Sequence, residues 1–265
     1  MSSCSRVFAK AGYRIALISR NKDHLNLAAE QIKGTGGEVA AFPIAEYSYK
    51  AVTDVFEDIL GFSWPSPGKT ELRVALWNVG VNVFGNFLSV TEADIQSSLN
   101  VHVTAGFAFS RRVILAFKEN TLDELGCRGT LLFTGATASI RGNVFTSAFA
   151  AGKFGIRALS QSLAKEFGQE NIHVAHSIID GSILTDLSLS RRTGEAAEAW
   201  KNTPDVRLDA ESIAKVILSS PRLCSPEPHA DEDVPHYRQS YLYLTQQDRS
   251  AWTWELDLRP AHEKW

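Results

Sequence analysis

Gly129-Thr130-Leu131-Leu132-Phe133-Thr134-Gly135-Ala136-Thr137-Ala138-Ser139-Ile140-Arg141-Gly142, followed by Ser147-Ala148-Phe149-Ala150-Ala151-Gly152-Lys153, is the stretch that decides the fold. The run from Thr130 to Phe133 is apolar on both faces and bounded by glycine, the signature of a buried strand. Residues 147 to 167 then carry the periodicity of an amphipathic helix. Outward from this unit the pattern repeats. Strands are expected at Tyr13 to Ile18, Val39 to Ile44, Leu72 to Trp77, His173 to Ile179 and Trp252 to Leu258. Helices are expected over Asn21 to Lys33, Ala51 to Leu60 and Glu92 to Lys118, the last capped by Thr91 with Asp94 three residues on. Strands alternating with helices of this length predict βαβ units and a parallel sheet, an α/β fold, in a single domain over residues 1–265.

The order and spacing of these motifs resemble the short-chain dehydrogenase/reductase family. In that family a Ser lies past the strand, a Tyr opens the next helix, and a Lys stands one helical turn after the Tyr. Here Lys153 is kept, Phe149 occupies the Tyr position and Ala136 the Ser position. The resemblance implies a Rossmann-type doubly wound sheet. It also implies hydride transfer between a nicotinamide and a carbonyl or alcohol of a small-molecule substrate. The family's Tyr hydroxyl moves the proton, and a phenyl ring cannot.

The same resemblance assigns further positions. Arg20, with no acid in Ser19-Arg20-Asn21, points to the 2′-phosphate of NADP rather than the ribose hydroxyls of NAD. Asn78 and Gly80 match a strand-end motif that approaches the cofactor. Gly181, Ile183 and Thr185 match a segment that covers the nicotinamide, with Asp180 replacing its Pro. His102 falls at the position of a family Asn that bridges a water to the Lys, and it can exchange protons near neutral pH. Ser139, with Thr137, is a candidate to orient a carbonyl. Lys153, Ser139, His102 and Asp180 are thus the candidate catalytic set. Each has a plainer reading: a surface helix Lys, a structural helix His, turn hydroxyls bonded to the local backbone, a cap or turn acid.

The two ends depart from the family. The segment from Met1 to Gly12 reads as the helix that follows the phosphate-binding turn. The first strand and its glycine-rich turn are therefore expected to be missing, leaving two neighbouring strands without a partner. Residues 216–239 contain Pro221, Pro226, Pro228 and Pro235 and cannot be helical throughout. They read as an inserted loop or a retained intron. Deleting them would place Ile213, Tyr241 and Leu244 on one helical face.

Composition narrows the class. A chain of 265 residues with net charge −3 and pI near 6.2 carries no basic excess for nucleic acid or anionic membrane. No apolar run suits a membrane span. Three scattered cysteines show no metal-type spacing and fit a reducing, cytoplasmic setting. A homo-oligomer is compatible with all of this. Three functions compete: an NADP-dependent oxidoreductase, a non-redox cyclase or isomerase built on the old pocket, and an inactive homologue or defective gene model.

Overall fold

The computed structural model describes residues 2–183, 240–260 and 262, with residues 188, 189, 194, 198, 200, 202, 203, 208 and 213. Thr185 and the 216–239 segment lie outside the described residues. In order, the elements are α1 (Ser2–Lys10), β1 (Ile15–Ser19), α2 (Lys22–Lys33), β2 (Val39–Pro43), α3 (Tyr49–Leu60) and β3 (Val74–Trp77). Then come α4 (Glu92–Leu99), a π-helical segment (Asn100–Thr104), α5 (Ala105–Lys118), β4 (Gly129–Thr134), α6 (Ser147–Phe167), β5 (Ile172–Ile179), α7 (Ser240–Leu244) and β6 (Glu255–Leu258). The Thr91–Asp94 capping box is formed in both directions.

The architecture is α/β with parallel pairing throughout. The ladder is split into a two-stranded sheet, β1-β2, and a four-stranded sheet, β3-β4-β5-β6. Every residue of β5 is buried, as expected where helices cover both faces. Alternate side chains serve opposite layers. Leu131, Phe133, Ile172 and Val174 pack with Phe56, Phe109, Val113 and Phe117 from α3 and α5. Leu132, Ala175 and Ile179 pack with Val7 and Phe8 of α1 and with Tyr241 and Leu244 of α7. Ile213 belongs to this second cluster.

Some strand ends differ from the sequence reading. β3 begins at Val74 rather than Leu72, because Leu72 spends its carbonyl on the Asn120 side chain at 2.6 Å. β6 begins at Glu255 because the residues before it turn through Arg249–Ala251, capped by Asp248.

β1 and β3 face each other across a gap. The main-chain pattern fixes which groups look into it, since residues of a parallel ladder address alternate neighbours. The Ile15 N–H donates to the Glu38 carbonyl and the Ile44 N–H to the Ser19 carbonyl, so Ile15, Leu17 and Ser19 serve β2. The Thr130 N–H donates to the Arg73 carbonyl, so Arg73, Ala75 and Trp77 serve β4. Ala16, Ile18, Val74 and Leu76 therefore turn their N–H and C=O groups into the gap. Among the described residues no other strand pairs there. Native-state hydrogen exchange checks this. The amides of Leu17 and Ala75 should be protected at least about tenfold better than those of Ala16, Ile18, Val74 and Leu76.

Candidate active site

The carboxyl ends of β3 and β4 and the first turns of α6 meet around Lys153. The Lys153 side chain is buried, and its Nζ donates to the Thr134 carbonyl at 3.1 Å. Burial pushes its pKa down to about 8. The Phe149 ring lies beneath the ammonium, 5.9 Å from Nζ to ring centroid. That ring also contacts Phe84 at 5.3 Å and His102 at 5.6 Å, measured between centroids.

His102 sits inside the π-helical segment between α4 and α5. A π bulge inserts an extra residue per turn and re-aims side chains, which is how a long helix delivers an imidazole inward here. The ring is 1% exposed. Nδ1 lies 3.0 Å from the Ser98 carbonyl, and the Val81 N–H points at Nε2 from 3.4 Å. This network assigns the proton to Nδ1 and leaves Nε2 as acceptor. Burial first, then the Lys153 charge, push the His102 pKa down to about 4.

Two partners of His102 carried no signal in the sequence. The Ser98 hydroxyl, one turn earlier, donates to the Ala148 carbonyl at 2.7 Å and lies 3.2 Å from Nδ1. Gly152 lets α6 approach. A Cβ there would fall 2.6 Å from His102 Nδ1 and 2.7 Å from Ser98 Oγ. Gly80 closes the other side, where a Cβ would meet His102 Nε2 at 3.6 Å and Lys153 Nζ at 4.0 Å. Lys153, His102, Phe149 and Gly80 thus form one cluster.

The other candidates are placed differently. Ser139 is fully buried, and its hydroxyl accepts the Ala136 N–H at 3.1 Å. A Cβ on Gly135 would meet both Ser139 Oγ and the His176 ring, so Ser139 is turned toward His176. Asp180 is also fully buried. It accepts the Thr137 hydroxyl and pairs with the Arg259 guanidinium. Gly181 follows at φ +154°, where a Cβ would press on Pro260 at 2.9 Å. Ile183 forms an isolated parallel bridge to Leu208. Directly after the carboxyl end of β1, Arg20 is exposed and lies over the Tyr47 ring at 5.1 Å, and Tyr47 contacts Trp77 edge to face. Asn78, directly after β3, is half-buried. His176 is buried 3.6 Å from Glu255, and burial pushes its pKa down to about 4. No described cluster of His, Cys, Asp and Glu is arranged to hold a metal ion, and no described helix is long and apolar enough to cross a membrane.

A short chain dehydrogenase profile matches residues 2–196. The chain belongs to the short-chain dehydrogenase family. It is 26% identical over 223 residues to a 3-oxoacyl-[acyl-carrier-protein] reductase of Bos taurus, covering 82% of this chain and 85% of that protein. It is 27% identical over 154 residues to a peroxisomal hydratase-dehydrogenase-epimerase of Saccharomyces cerevisiae, covering 58% of this chain but only 16% of that protein. The fold superposes with a TM-score of 0.72 on an alcohol dehydrogenase from the archaeon Thermococcus sibiricus complexed with 5-hydroxy-NADP. That match is 16% identical and covers 99% of this chain and 92% of the other. The doubly wound α/β fold and the oxidoreductase family are thereby shown, as is the family's use of nicotinamide cofactors and small-molecule substrates.

The buried bases give this short-chain dehydrogenase a defined acid sensitivity. His102 and His176 titrate near 4 when folded, against an ordinary value of 6.5. Between those values the unfolded chain binds protons that the folded chain refuses, so stability falls as pH drops from 6.5 toward 4. The urea midpoint should fall across this window. His102→Asn should make the fall shallower, because one of the refused protons no longer exists.

Proposed function

We propose that this chain is an NADP(H)-dependent oxidoreductase acting on the carbonyl or alcohol of a small molecule, with Lys153 as proton donor in place of the absent Tyr hydroxyl. The observation that carries this reading is the cluster of Lys153, His102, Phe149 and Gly80. Lys153 holds a proton at neutral pH, and burial has brought its pKa to about 8, close to working pH. Asp180 and Ser139 are engaged elsewhere, by Arg259 with Thr137 and by the Ala136 N–H. His102 Nε2 is a neutral acceptor beside the same Gly80.

The residues present suit a nicotinamide dinucleotide. Gly80 and Asn78 lie at the carboxyl end of β3 with no side chain at position 80 to block approach. Exposed Arg20, stacked on Tyr47 and flanked by Ser19 and Asn21, suits a 2′-phosphate. When bound, the nicotinamide supplies or accepts the hydride. Lys153 Nζ gives the proton to the substrate oxygen in reduction and takes it back in oxidation. Phe84, in contact with Phe149, and Phe145, whose carbonyl accepts the Gly85 N–H, are both more than half exposed and give the mouth an apolar rim. The exposed Ile95, Leu99, Phe107 and Phe154 on α4, α5 and α6 support a homo-oligomer. Phe149 itself favours a second reading, in which the pocket binds the cofactor without turnover or runs non-redox chemistry.

Turnover of a ketone panel with NADPH tests the first reading. Ketone reduction should fall as pH rises through about 8, because only charged Lys153 carries the proton, and Lys153→Met should abolish it. A pH-independent rate, or an active Lys153→Met, would sink the assignment. Phe149→Tyr should raise reduction by about 10²–10⁴-fold by supplying a general acid, and Ala136→Ser should add to it. NADPH binding without turnover in every variant favours the second reading.

Cofactor choice is tested separately. Arg20→Asp should weaken NADPH binding by about ten- to a hundredfold while leaving NADH nearly unchanged. Equal losses for both cofactors in titration would remove Arg20 from the phosphate site.

A further inference from the structure

Two loops shape the mouth in front of Phe149 and Lys153. Residues 78–91 join β3 to α4, and residues 135–146 join β4 to α6. The first loop contains no charged residue, and the second contains only Arg141. Phe145, in the second loop, stands at φ +67°. A side chain in that left-handed region crowds its own backbone, and a bulky one does so most. Among the described residues the other non-glycine there is Asn171, a type that tolerates it.

The turn around Phe145 is closed on all sides. The Thr146 N–H donates to the Asn143 carbonyl at 3.1 Å, and the Thr146 hydroxyl donates to the same carbonyl at 2.8 Å. The Asn143 N–H donates back to the Thr146 hydroxyl oxygen at 2.9 Å. Phe145 is the third residue of this four-residue turn, the place that glycine or asparagine takes without strain. The Ala150 N–H holds the Thr146 carbonyl at 2.7 Å, tying the turn to α6. The Gly85 N–H holds the Phe145 carbonyl at 2.9 Å, tying it to the first loop. An aromatic residue is thus fixed in a strained conformation, yet it is more than half exposed, so burial does not compensate for the strain. Strain of this kind collects where a ligand uses the residue.

Its neighbours say which ligand. The Gly85 bond brings Phe145 beside Phe84, and Phe84 is also more than half exposed. The Phe84 ring meets the Phe149 ring at 5.3 Å and 59°. Phe149 in turn lies under Lys153. Aromatic residues therefore follow one another outward from the ammonium, with no acid between them in either loop.

We propose that Phe145 is a specificity-determining residue, and that with Phe84 it selects an uncharged carbonyl compound carrying a flat aromatic ring system. Flat rings gain stacked and edge contacts with phenylalanine beyond the area they bury. A flexible aliphatic chain would cover the same rings but lose its own conformational freedom. A carboxylate or phosphate would meet Arg141 as the only cation of the two loops. The inference rests on the oxidoreductase reading for the reacting carbonyl, so binding is measured apart from turnover.

The probe is acetyl-dimethylaminonaphthalene, a flat aromatic ketone whose emission moves to the blue in apolar surroundings. It is titrated into the full chain with and without NADPH. The expected result is saturable one-to-one binding, displaced by naphthyl methyl ketone and not by pyruvate or ethyl acetoacetate at the same concentration. Phe145→Gly and Phe84→Ala should each weaken binding about tenfold or more, and Phe145→Tyr should bind like the parent. Glycine adopts φ +67° freely, so the melting temperature of Phe145→Gly should hold or rise while binding is lost.

Absence of binding would overturn the proposal, as would unchanged binding by Phe145→Gly. So would equal displacement by ethyl acetoacetate, or a lower melting temperature for Phe145→Gly, which would make Phe145 a packing residue. Turnover separates this inference from the reading it rests on. Binding as expected, with no reduction of naphthyl methyl ketone by NADPH in the parent or in Phe149→Tyr, removes the oxidoreductase reading and leaves the ligand class. Faster reduction of ethyl acetoacetate than of naphthyl methyl ketone removes the ligand class and leaves the oxidoreductase reading.

Discussion

The parallel ladder through β3, β4 and β5 is the constraint on which the site depends. β4 and β5 are covered on both faces, so their main-chain groups find partners only in neighbouring strands. In-register parallel pairing then fixes where the strands end. Trp77 pairs with Phe133, and Phe133 with His176. The segments that follow these pairs, Asn78 to Gly80, Gly135 to Ser139 and Asp180 to Gly181, emerge along one edge of the sheet. Chemistry collects there because backbone hydrogen bonding leaves those loops no other place.

Around that edge the structure spends buried polar groups unevenly. Asp180 has a guanidinium and a hydroxyl as partners and holds the framework. Lys153 has one carbonyl and an aromatic face. That is enough to keep it buried and too little to fix its charge, so its pKa falls toward neutrality.

The strands and most helices were legible from sequence because two-sided burial writes continuous apolar runs, and β4 and β5 are the clearest cases. The resemblance gave Lys153, Phe149 and Gly80 their neighbourhood. What sequence could not show was direction. Ser139 and His102 both sit at plausible spacings, yet one hydroxyl turns to Ala136 and His176 while the imidazole turns to Lys153. The π segment that aims His102 has no propensity signature, since a single inserted residue leaves the apolar periodicity nearly intact. Ser98 and Gly152 matter only through contacts with that ring, and contacts between α4 and α6 are not written in either helix alone. The division of the described strands into two sheets, and the cavity between them, are visible only in three dimensions.

Phe149 links these threads. A tyrosine there would place a hydroxyl beside Lys153 and share its charge. The phenyl ring instead offers its negative face, an attraction that favours the ammonium without accepting a proton. Desolvation opposes the ammonium, and it wins, because the pKa is lowered rather than raised. On the proposed reading, Phe149 leaves the neighbouring lysine as the group that hands a proton to the substrate oxygen. On that reading the proton stays at the same edge of the sheet and a different atom bears it.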